Sequence, residues 1–96
     1  MSAVGASALP DDISWTVPHP LSPSEIYQLI ESFAQSSARI KRCGFSGAEI
    51  SAGHGHLFHQ FLSPWSNVRD DDYGGSLEGR CRLVAELIAA VRSACG

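Results

Sequence analysis

Ninety-six residues, 44% hydrophobic and 18% charged, describe at most one globular domain, too apolar and too weakly charged to be disordered as a whole. A formal charge of -3, with no basic cluster larger than Lys41-Arg42, leaves no footprint for nucleic acid, and no run approaches the roughly 20 apolar residues that span a bilayer. Cys43, Cys81 and Cys95 show no CxxC spacing and cannot all pair, which suits a reduced, cytoplasmic setting; Met1 to Pro10 lacks the basic start of a signal peptide.

Residues 1–21 carry Pro10, Pro18 and Pro20 with Asp11-Asp12 between them. Prolines at this density sustain neither a helix nor a central strand, so the stretch is expected to be a loop or flexible arm. Ser22-Pro23-Ser24-Glu25 is a capping-box sequence with proline at the first helical position. Ile26, Ile30, Phe33, Ser37 and Ile40 follow at helical spacing. Lys41 and Arg42 suit the carbonyl end of the helix dipole, and Gly44 is a natural stop. These signals predict a helix from Pro23 to Cys43.

Phe45 to Ser51 is too short for a second helix and reads as a strand, with Glu49 its odd member. Gly53, Gly55, Pro64, Gly74 and Gly75 then mark a long structured loop, with one helical turn expected around Leu57 to Leu62. Loops of this length in compact proteins are usually functional. A last helix is expected over Leu77 to Cys95, with Arg80, Val84, Leu87, Ile88 and Val91 along one face. The order is arm, helix, strand, loop, helix. A lone strand has nothing in this pattern to pair with, so the chain reads as an α/β segment of a larger architecture.

Several segments in this order resemble the old yellow enzyme family of FMN-dependent oxidoreductases. They are Cys43-Gly44-Phe45-Ser46-Gly47-Ala48-Glu49-Ile50, Gly53-His54-Gly55-His56-Leu57, Gln60-Phe61-Leu62-Ser63-Pro64, and the run Ser66 to Arg80 with Tyr73-Gly74-Gly75-Ser76-Leu77-Glu78. The glutamine-to-proline and tyrosine-to-glutamate runs, at their separation, are far more specific than a lone short motif. The resemblance implies that residues 22–96 are a partial TIM-barrel, or (β/α)8, segment comprising helix, one strand, long catalytic-face loop and helix, and not a complete barrel. It also implies that Arg69, Tyr73, Ser76, Glu78 and Arg80 organise the loop and the next helix.

The same resemblance implies a chemistry. In the family, reduced FMN gives a hydride to an activated alkene such as an enone, NAD(P)H being the reductant. Two side chains after this strand hydrogen-bond the substrate's carbonyl oxygen, and a tyrosine delivers the proton. Carried over by position, the first carbonyl-binding residue is Ser51, where the family has histidine. The second is His54, which matches, and the tyrosine position is His56. Asp70 stands where threonine is usual. Gly79 replaces an asparagine near the helix start and is expected to weaken that helix slightly.

Two other readings compete. His54, His56 and His59 form an HxHxxH pattern that could hold zinc, with Asp70, Asp71 or Asp72 as a fourth ligand. Alternatively, the chain is a non-catalytic remnant or interaction module, truncated relative to a larger enzyme and inactive alone, with apolar helix faces that favour self-association. A complete barrel needs about 250 residues, so FMN binding by this chain alone is expected to be weak or absent.

Overall fold

The computed structural model describes residues 3–10, 17–53 and 56–96. Its elements in chain order are β1 (Val4–Gly5), β2 (His19–Pro20), α1 (Pro23–Arg42), α2 (Leu57–Leu62) and α3 (Leu77–Cys95). The three helices fall within a residue of their expected bounds because local chemistry marks their ends. Ser22 Oγ accepts from the Glu25 amide at 3.2 Å, and Glu25 Oε1 accepts from the Ser22 amide at 3.0 Å, closing the capping box. His19 Nε2 lies 2.8 Å from the same carboxylate oxygen. The Ser22 backbone bond, then the His19 contact, lower the Glu25 pKa from 4.5 to about 2. A depressed carboxyl pKa contributes stability above pH 4.5, and that contribution disappears as pH falls towards about 2. At the far end, Cys43 caps α1 and Gly44, at φ +98°, turns the chain out of it.

Helices α1 and α3 pack together, with α2 against α3. Ala6, Leu21, Ile26, Ile30, Phe58, Phe61, Leu83 and Leu87 form the core. Phe61, Ile26, Leu83 and Leu87 are fully enclosed; each contributes about 1.5–3 kcal/mol by leaving water. On α3 the buried face is Gly79, Leu83 and Leu87, whereas Ile88, expected on that face, is 55% exposed. The offset arises because α1 meets α3 along Leu83 and Leu87. Ile88 and Val91 instead border an open groove of about 590 Å³, shared with Ser37 and Ile40 of α1 and with residues 45–50.

Two expectations change. Phe45 to Ser51 adopts no strand: residues 46–52 make no backbone hydrogen bond among the described residues. A ladder requires a neighbouring strand, and none lies alongside among the described residues. Conversely, the described parts of residues 1–21 are docked. β1 and β2 pair in parallel, with Val4 opposite His19 and Gly5 opposite Pro20. The His19 amide donates to Ala3 O and the Leu21 amide to Gly5 O. Proline is tolerated because Pro20 sits in a two-residue strand with no ladder on its other side among the described residues. Ala6 and Leu21 then enter the core.

Gly79 also has a different role from the one expected. Ser76 caps α3 by accepting from the Gly79 amide at 3.1 Å, so the helix start does not lack a cap. A Cβ on Gly79 would lie 2.1 Å from Gly74 O. The absent side chain therefore lets the Gly74-Gly75 turn close onto the first turn of α3. Gly79→Ala is expected to destabilise the chain by about 1–3 kcal/mol through overpacking, despite alanine's better helix propensity. Urea denaturation measures this; unchanged or increased stability would show that the contact is not limiting.

Candidate active-site loop and its scaffold

The stretch leaving α1 runs through Ser51, whose side chain is exposed. Ala52 and Gly53 follow, and the His56 amide donates to Gly53 O at 3.3 Å. His56 is the N-cap residue of α2; it is exposed, and its imidazole caps nothing. Ser51 and His56 are both exposed, and neither side chain is engaged by another described residue. His54 lies outside the described residues.

What holds this loop is the carbonyl end of α2. Six residues are far too few for a stable isolated helix, and its last four carbonyls have no partner within it. All four are satisfied from outside. His59 O accepts from the Ser63 amide at 3.0 Å, and Gln60 O from Ser66 Oγ at 2.9 Å. Phe61 O accepts from Asn67 Nδ2 at 2.7 Å, and Leu62 O from Arg80 Nε at 3.1 Å. Phe58 and Phe61 bury the other side, with Phe58 edge-on to Phe33 of α1 at 5.3 Å between ring centroids.

Asn67, 4% exposed, also donates to Tyr73 O at 2.9 Å, while its Oδ1 accepts from the Arg69 amide. Arg69 makes a two-pronged pair with Asp71, at 3.0 and 2.5 Å, donates to Ala6 O and stacks over the Phe61 ring. The Arg69 hydrogen bonds, the largest influence, lower the Asp71 pKa. Ser7 Oγ accepts from the Val68 amide, so the residues after β1 clamp this loop at two points. The roles expected of Arg69, Tyr73, Ser76 and Arg80 match these contacts, and Glu78 lies in the acidic first turn of α3. Ser7, Ser66 and Asn67 were not singled out in the sequence. Ser66 and Asn67 lie in the family run Ser66 to Arg80 and bond to backbone carbonyls six residues away, whereas Ser7 meets Val68 across 61 positions, which no local signal announces.

The zinc pattern requires His54, and among the described residues no group of three His, Cys, Asp or Glu side chains comes together. Asp71, one candidate fourth ligand, is committed to Arg69. His54, a required member of the pattern, lies outside the described residues.

The whole chain, residues 1–96, matches the model of the NADH:flavin oxidoreductase / NADH oxidase family, and the chain belongs to that family. An NADPH dehydrogenase of Clostridium acetobutylicum is 45% identical over 89 residues, covering 93% of this chain and 26% of that protein. Morphinone reductase in complex with tetrahydroNAD superposes with a TM-score of 0.94 at 32% identity, over 100% of this chain and 31% of that one. A 2-naphthoyl-CoA reductase in complex with 2-naphthoyl-CoA superposes at 0.90 and 35% identity, over 97% of this chain and 14% of that one. The chain spans about a quarter of the length of the NADPH dehydrogenase it matches. Its fold is a segment of the TIM barrel of old yellow enzymes, which are flavin-dependent oxidoreductases carrying FMN, and no closed barrel is present.

The 590 Å³ groove is lined by none of Ser51, Gly53 or His56. Four of the seven basic side chains are already bonded within the chain: Lys41 to Cys95 O, Arg69 to Asp71 and Ala6 O, Arg80 to Leu62 O and Gly75 O, and Arg82 to Asp72 O.

The Tyr73 hydroxyl, half-buried against α3, donates to Glu86 Oε1 at 2.7 Å. Burial first, then the Glu86 bond, raise its pKa from 10.0 to about 12. The neutral phenol is favoured by folding, so this contribution is fully present below pH 10.0 and is lost as pH rises towards about 12. Spectrophotometric titration should show a tyrosine step near pH 12 that Tyr73→Phe removes. A step that survives the substitution assigns it elsewhere.

Proposed function

We propose that this chain forms the substrate-facing rim, after one barrel strand, of an FMN-dependent NAD(P)H oxidoreductase that reduces activated alkenes such as enones. The observation that carries this is the pair of exposed side chains, Ser51 and His56, one at the end of the stretch that follows α1 and the other at the start of α2, with neither engaged by another described residue. Barrel enzymes place their chemistry at the carboxyl end of a strand. When bound, FMN supplies the hydride for the alkene's β-carbon. This chain's part is the other half of the reaction. His54 donates a hydrogen bond to the carbonyl oxygen, where negative charge develops as the β-carbon is reduced. Ser51, shorter than the family's histidine, reaches that oxygen through a bridging water. His56 holds the proton delivered to the α-carbon, at the position where the family has a tyrosine. Among the described residues no helix is long and apolar enough to cross a membrane, which fits small-molecule partners.

As a separate 96-residue chain the protein binds FMN weakly or not at all, and it self-associates through exposed Phe45 (66%) and Ile88 (55%), which border the groove. Purification in the presence of FMN, followed by flavin absorbance and sizing chromatography, should give substoichiometric flavin and a species larger than a monomer. A monomer with one bound flavin would overturn this. Where a flavin-loaded form reduces an enone, His54→Ala is expected to lower kcat by about 10²–10³, the loss typical of one oxyanion donor. An unchanged rate would remove His54 from the reaction.

A further inference from the structure

Beyond the residues of the proposed chemistry, the carbonyl end of α2 identifies side chains that act on the site from a distance. We propose that Ser66, Asn67 and Arg80 are positioning residues for His56, acting through α2 and resting on the reading that places His56 at the substrate. His56 is the N-cap residue of a helix only six residues long. Its own carbonyl anchors the first turn by accepting from the Gln60 amide at 2.9 Å. At the other end, Gln60 O, Phe61 O and Leu62 O are each held by one side chain, from Ser66, Asn67 and Arg80 respectively. A helix this short has no interior: releasing its last carbonyls frees the turn that carries His56.

Two of the three donors are themselves fixed. Asn67 is buried and fully bonded, and Arg80 is braced by a second bond to Gly75 O. Ser66 and Asn67 belong to the loop that Arg69 and Ser7 tie down, and Arg80 belongs to α3. The placement of His56 is therefore set by a rigid frame built from residues that touch neither substrate nor flavin.

The test uses the isotope-labelled 96-residue chain and the variants Ser66→Ala, Ser66→Thr and Asn67→Asp. Asn67→Asp keeps the shape of the side chain and removes both amide donors. Amide exchange at Gln60 and Ser63 is expected to accelerate about tenfold or more in Ser66→Ala and Asn67→Asp, with Ile30 of α1 and Leu87 of α3 unchanged. The His56 ring resonances should shift in the same two variants and return in Ser66→Thr, with the His19 ring as an unmoved control. Exchange that accelerates equally at Ile30 and Leu87 would show a general structural role and overturn the proposal. So would a His56 ring insensitive to Ser66→Ala. Neither readout depends on flavin or turnover, so a failure of the catalytic reading in the enone assay remains distinguishable from a failure here.

Discussion

A buried primary amide must satisfy two donors and an acceptor or leave polar groups stranded at a cost of about 1–3 kcal/mol each. Asn67 meets that constraint completely, and most of the loop follows from how it does so. One donor fixes the end of α2, the other fixes Tyr73 O, and the acceptor takes the Arg69 amide. Because Arg69 is thereby set, its guanidinium can reach Asp71, Ala6 O and the Phe61 ring together. Fourteen irregular residues between α2 and α3 are rigid in consequence, although they contain no regular structure beyond turns.

The helices were legible in the sequence because their signals are local. A capping box, a proline at the first turn, basic residues at the end and a glycine beyond it fix α1 without reference to anything distant. Faces were legible only in part. Periodicity placed Leu87 correctly but also favoured Ile88, since the choice between neighbouring stripes is made by the packing partner and not by the helix itself. The docking of residues 3–10 and 17–21 was not legible at all. Ala6 and Ser7 meet Arg69 and Val68 through bonds spanning more than sixty positions, and nothing in a short apolar segment announces such a partner.

The family pattern was legible in the sequence, and the assignment of Ser51, His54 and His56 rests on that pattern. The match extends along the entire chain, and morphinone reductase superposes over all of it. Against the family pattern, Ser51 and His56 depart at the rim, and Asp70 and Gly79 depart in the loop and at the start of α3.

The unladdered stretch from Phe45 to Ser51 has a consequence for the order of assembly. The two long helices dock and bury Leu83, Leu87, Ile26 and Ile30 without requiring that stretch to form hydrogen bonds with any other segment. The helical pair can therefore form before that stretch acquires any ladder, with Ile50 and Ala52 packing against it.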